Sequence, residues 1–207
     1  MAGTRTSELE AVNTMLSAVG EPPVNSLADQ KNADAAIANN ILTEISREVQ
    51  THGWHFNTQD KVTLTPDSTT KYINLTDNMV RVDIDYWTSS EGISSVNPAD
   101  NRDVTQRGDR LFNRTDNTYE FTSSVKATVI YIFDWTELPE PARRYIAVRA
   151  ARIFQDRMVG STNHHTFTQQ DEIRALALLK EFEGDTADHS IFNNHDVFRI
   201  VARRGGI

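Results

Sequence analysis

The sequence predicts an α+β fold: a helical bundle built from the N- and C-terminal helices, an inserted antiparallel β-rich domain, and an extended C-terminal arm. Two observations carry this. Apolar residues recur at helical spacing before residue 53 and again from about 138 to 184. Between them the chain breaks into short β-branched and aromatic runs separated by turn residues. The expected boundaries are 1–53 and 136–184 for the helical domain, 54–135 for the β-rich insertion and 185–207 for the arm. With 38% hydrophobic and 24% charged residues in 207, the chain can bury a core.

The first helix opens at Ser7-Glu8-Leu9-Glu10, where Ser7 can cap and Glu10 can return the bond. Leu9, Val12, Leu16 and Val19 form its stripe, and Gly20-Glu21-Pro22-Pro23 stops it. A second helix runs from about Asn32 to Gln50 with Ala36, Ile37, Ile41, Ile45 and Val49 on one side, ending near Gly53. Strands are expected at Trp54–Thr58, Val62–Thr65, Tyr72–Leu75, Val80–Tyr86 and Asp109–Phe112, with turns at Pro66-Asp67, Asn97-Pro98 and Gly108-Asp109. Lys126–Trp135 is apolar on both faces, which suits a central strand covered on two sides.

Leu138-Pro139-Glu140-Pro141 starts the third helix, whose stripe is Ile146, Ala147, Ala150, Ile153 and Phe154 and whose stop is Gly160. Arg144, Arg149 and Arg152 spread around its remainder, with Arg143 and Arg157 towards its ends. Thr168-Gln169-Gln170-Asp171 can cap a fourth helix carrying Ile173, Leu176, Leu179 and Phe182, with Gly184 as its stop. The arm beyond Asp185 offers Ile191, Phe192, Val197, Phe198 and Arg199 but too little length for a core of its own, so it is expected to grip a partner.

Charge and composition exclude several chemistries. Asp and Glu number 29 against 21 Lys and Arg, a net charge of -8, which opposes tight sequence-independent DNA binding. The absence of cysteine removes disulfides, thiolate nucleophiles and thiolate metal sites. No apolar run reaches membrane-spanning length and the start lacks a secretory pattern, so a soluble protein, cytosolic when made and without direct membrane anchoring, is expected. His52-Gly53-Trp54-His55 has metal-pair spacing, but Gly53 ends a helix and no carboxylate obviously completes a site. His164-His165 reads as a polar loop; Asp188-His189 and His195-Asp196 lie in the arm without an apolar pocket to tune them. Arg107-Gly108-Asp109 is better explained as a hairpin turn than as an adhesion motif, and Trp54 and Trp135 as core rather than as stacking platforms. No catalytic, cofactor-binding or metal-binding residue is expected.

Three ordered motifs resemble a known family. Val19-Gly20-Glu21-Pro22-Pro23-Val24, Asn32-Ala33-Asp34-Ala35-Ala36 and Gly53-Trp54-His55-Phe56-Asn57 look like the tail tubular protein A family of short-tailed phages. Leu111-Phe112-Asn113-Arg114, Thr118-Tyr119-Glu120-Phe121, Leu138-Pro139-Glu140 and Arg152-Ile153-Phe154-Gln155 extend the match. The resemblance implies a virion protein of the tail: an adaptor ring of about twelve copies between portal protein and tail nozzle protein, with tail fibres as further partners. It also implies a helical domain that faces the portal and a DNA channel without specific DNA binding. A tail-associated hydrolase acting on envelope polysaccharide is the rival reading. Arg143, Arg144, Arg149, Arg152 and Arg157 are interface candidates in that ring, needing acidic partners on a neighbouring subunit or the portal; the alternative is a solvated face.

Overall fold

The computed structural model describes residues 5–28, 32–84, 102–160 and 162–186. Its elements in chain order are α1 (Glu8–Ala18), α2 (Ala33–Thr51), β1 (Thr58–Leu64), β2 (Met79–Asp83), β3 (Val104–Arg107), β4 (Arg110–Asn113), β5 (Val125–Tyr131), α3 (Glu140–Met158) and α4 (Thr162–Thr186). The fold is α+β, with antiparallel sheets between two pairs of helices.

The helix starts follow from their caps. Ser7 Oγ accepts from Glu10 N, and the Glu10 carboxylate accepts from Ser7 N at 2.7 Å, completing the expected capping box. Asn32 Oδ1 accepts from the Asp34 and Ala35 amides to open α2. Helix α3 packs against α1, α2 and α4, and is therefore buried nearly all round, at Tyr145, Val148 and Ala151 as well as on the expected stripe. Phe154, Met15, Leu42, Ile45, Ile146 and Leu179 are fully buried in this helical core.

Two stripes are rotated from their expected positions. In α2, Ala35 and Ala38 face the core, while Ala36 and Ile37 point outward and Ile37 is 41% exposed. In α4, Glu172 and Ala175 share the inner face with Leu179, and Ile173 is 61% exposed. The reason lies in α3, whose arginines draw Glu172 inward. Helix α4 also begins at Thr162 rather than Thr168, placing His164 and His165 in a helix instead of a loop, and runs through Gly184 to Thr186. A lone glycine near a helix end weakens the helix but does not end it unless the chain turns left-handed there.

A second apolar cluster, including Leu64, Ile73, Val82, Leu111, Phe121 and Val129, fills the β region. The three-stranded sheet has the order β1-β5-β2, so β5 is central as expected. Its two-sided coverage is confined to one end: Val125, Ala127 and Val129 are buried, Lys126 is exposed, and Ile130 alone is buried on the opposite face. Among the described residues strand β1 pairs only with β5, so it lies at an edge of this sheet. Its register shifts between Gln59 and Val62, where Lys61 takes φ 59°, a bulge on that edge.

Other strand expectations need correction. Residues 55–57 form a 3-10 turn, and β1 starts only at Thr58. Tyr72–Leu75 makes isolated bridges, Tyr72 to Glu120 and Asn74 to Arg110, because successive residues face different partners. Strand β3 was not anticipated, its Val-Thr-Gln-Arg being too polar to signal a strand. Trp135 lies in a 3-10 turn beyond the end of β5. Tyr86 and Asn97-Pro98 fall outside the described residues. The Pro66-Asp67 turn is present: Asp67 Oδ1 accepts from the Thr69 and Thr70 amides at 2.9 and 2.8 Å.

The helical and β regions meet at two buried amides. Gln50, fully buried, accepts from Phe133 N at 2.8 Å and donates to Phe133 O at 3.2 Å, so its side chain pairs with backbone as a strand would. Asn57 donates to Gln50 O at 2.8 Å and Tyr131 O at 2.7 Å and accepts from Trp54 N at 2.8 Å. Both crossings between the regions, near residues 51–58 and 131–135, are thus fastened to one polar knot with its groups satisfied. Gly53 lies against it at φ +81°, where an added Cβ would sit 2.5 Å from Ile130 Cδ1. Any other residue there is strained by the positive φ and has to displace the Ile130 side-chain tip.

Candidate functional site

The five arginines of α3 separate into three situations. Arg143 is 4% exposed and donates to three carbonyls: Leu138 O and Thr6 O at 2.9 Å, and Thr136 O at 2.7 Å. Thr6 O also accepts from Trp135 Nε1, and Thr6 N donates to Glu140. Arg143 thereby ties the segment before α1 to the turn before α3.

Arg149 and Arg152 converge on one carboxylate. Arg149 donates to Glu172 at 2.7 Å and to Glu48 at 2.6 Å; Arg152 donates to Glu172 and, at 3.1 Å, to Asp156. Glu172 is 8% exposed, so α2, α3 and α4 are joined by a partly buried ion network. Burial works against the Arg149 charge, but the hydrogen bonds to Glu172 and Glu48 outweigh it and raise its pKa. Arg157 pairs with Glu44 through two 3.1 Å bonds at the surface, which hold the Glu44 carboxyl below its ordinary range. Arg144 is exposed and has no ion-pair partner among the described residues. Four of the five arginines therefore have partners inside the chain. Ile191, Phe192, Val197, Phe198 and Arg199, with the acid–histidine pairs of the arm, lie outside the described residues.

A cleft of about 220 Å3 opens beside this network, lined by Val49, His52, Trp54, Tyr145, Leu176 and Lys180 among others. Trp54 Nε1 donates to Val49 O at 2.7 Å, and burial pushes the Tyr145 phenol above its usual pKa. The Glu48 and Arg149 side chains in its wall are paired with each other. Its chemistry is that of an apolar notch with a basic rim. His52 stacks at a tilt on Trp54, 5.2 Å between centroids, and both Trp54 and Trp135 pack on the helical core. Among the described residues no group of three or more His, Asp or Glu could hold a metal ion, and no helix is long and apolar enough to cross a membrane.

A different surface was not legible as a site. On the β3–β4 hairpin, the Arg107 guanidinium lies 3.6 Å from the Phe112 ring centroid and that of Arg110 lies 5.0 Å from Tyr72. Tyr119 meets Phe112 edge-on at 4.9 Å and Tyr72 at 6.2 Å, and is 36% exposed. The signal available was the two-residue turn itself. Gly108 at φ +63° followed by Asp109 at an ordinary negative φ is the pattern of a II′ hairpin, which sets Arg107 opposite Arg110.

Fold and surface together define an assembly protein: an α+β building block in which four of the five α3 arginines are engaged in holding helices and termini in place. The chain belongs to the tail tubular protein family, whose model matches residues 9–189. It is 26% identical over 176 residues to tail tubular protein A of Klebsiella phage KP34, covering 84% of this chain and 86% of that protein. It is accordingly a structural protein of a bacteriophage tail.

Proposed function

We propose that the chain is the tail adaptor: a ring of about twelve copies seated between portal protein and nozzle protein, continuing the channel through which DNA leaves. The observation that carries this reading is the buried Gln50–Asn57 knot in a member of this family. It fastens the helical region to the β region at both crossings, so one subunit can transmit position between two different neighbours. The helical region faces the portal and the β region the nozzle. The arm from Asp185, with Ile191, Phe192, Val197, Phe198 and Arg199, grips an adjacent copy or the nozzle, and exposed Arg144 is the α3 arginine available to a neighbour.

The charge fits a conduit. Twelve copies of a chain with net charge -8 carry on the order of a hundred negative charges, and those lining the lumen repel phosphate, so DNA slides rather than adheres. Mutual repulsion also keeps free subunits apart until a preassembled portal supplies a template. Mixing the purified chain with isolated portal and imaging the product tests the reading. An added ring on the portal is expected; free subunits beside bare portals would overturn it.

A further inference from the structure

We infer that the outer face of the β3–β4 hairpin docks a second copy of this chain, with Arg107 and Arg110 receiving carboxylates of that neighbour while Tyr119 is buried against it. This rests on the ring reading above and adds the surface that makes the contact. The register pairs Thr105 with Phe112 and Arg107 with Arg110, so these four share one face. The opposite face puts Val104 and Leu111 into the β core.

Two arginines directly opposed across strands repel unless something else holds them. Here aromatic rings do so, Phe112 beneath Arg107 and Tyr72 beneath Arg110. Arg107 has no ion-pair partner among the described residues, and Arg110 reaches only its neighbour Asp109, at 3.8 Å with both side chains well exposed. Stacking uses the flat face of a guanidinium and leaves its N–H edge directed at whatever approaches. The arginines of α3 show the contrast: Arg149, Arg152 and Arg157 each bind a carboxylate within the chain. Tyr119, fixed by two rings at little entropic cost and still 36% exposed, completes the Tyr and Arg composition that concentrates binding energy in protein interfaces.

Charge complementarity selects the occupant. The chain carries eight more acidic than basic residues, so two guanidinium groups whose one carboxylate contact among the described residues is the long, exposed approach to Asp109 find their complement on another copy. A basic–aromatic patch meeting a different, acidic patch is a heterologous contact, the kind that closes a ring. Nucleic acid fits less well: two arginines on a chain of net charge -8 release few of the counterions on which phosphate binding depends.

The test replaces Tyr119 with photoreactive benzoylphenylalanine in the phage-borne protein, irradiates purified virions and maps the adducts by mass spectrometry. The expected product has double the subunit mass, with both linked peptides from this chain. Arg107→Gln with Arg110→Gln should lower its yield about tenfold, while thermal melting of the purified variant shows the hairpin still folded. Adducts with DNA or with another tail protein, or a yield unchanged by the double substitution, overturn the inference and leave the ring reading standing. Absence of the chain from tails overturns both.

Discussion

Helix α3 and the β3–β4 hairpin treat the same side chain in opposite ways. In the helical region the guanidinium groups of Arg143, Arg149, Arg152 and Arg157 each meet carbonyls or carboxylates of their own chain. On the hairpin Arg107 and Arg110 lie over aromatic rings, and their one carboxylate contact among the described residues is the 3.8 Å approach of Arg110 to Asp109. An arginine near a helix axis crowded by three neighbours must be neutralised locally because its charge is partly or wholly desolvated. One on an exposed hairpin keeps its hydration and stays available. Local partners, and not burial alone, separate the two sets: Arg157 is paired with Glu44 although its side chain is 52% exposed, against 45% for Arg110.

The largest test of this contrast is the helical core itself. Phe154→Ala should remove about 4 kcal/mol of stability by opening a cavity in α3 where all the helices converge, read from urea unfolding followed by circular dichroism. Arg143→Met should follow at about 3 kcal/mol, since it leaves the carbonyls of Thr6, Leu138 and Thr136 without their charged donor. If Arg143→Met melted with the wild type, the scaffold assignment would fail. Gly53→Ala should cost about 2 kcal/mol, through its positive φ and the clash with Ile130. Adding Ile130→Val should recover only the steric part, sharpening how the two regions are joined. Glu172→Gln should lose about 1 to 2 kcal/mol and loosen α4, seen as faster amide exchange over residues 170–183.

The smallest effect concerns pH. Hydrogen bonds hold three carboxyls below their ordinary range: the Ser7 backbone at Glu10, Arg157 at Glu44, and the Thr70 and Thr69 amides at Asp67. A carboxyl depressed in the folded state contributes stability above its unfolded pKa and loses it as pH falls through the depressed value. The melting temperature should therefore stay level from pH 7 to about 5 and decline below about 4. All three groups are at the surface, so the decline should shrink in high salt for Glu44 and persist for the backbone-bonded pair.

Local signals made much of the fold legible. Ser7-x-x-Glu10, the Pro at the start of α3 and the Gly108-Asp109 turn each specify a backbone event by their own chemistry, and each is present. What periodicity could not fix was rotation. Ile37 and Ile173 look like core on hydrophobicity, yet the partner helix decides which neighbouring row faces inward, and in α4 a carboxylate at 172 outranked an isoleucine at 173 because two arginines required it. The Gln50–Asn57 knot was illegible for a related reason. Its bonds to the second crossing span 74 to 83 residues, and nothing in the sequence around either amide announces a backbone partner so far away. On the β-hairpin the turn alone sets Arg107 opposite Arg110, but their contacts with Phe112 and Tyr72 appear only in the fold.

The bulge in β1 has a consequence for aggregation. A structural protein at high concentration presents every sheet border to its siblings. Lys61, a charged residue forced into a left-handed kink on that border, breaks the straight row of amides and carbonyls that a foreign strand would need to zip onto. That interruption disfavours edge-to-edge stacking of free chains into fibres.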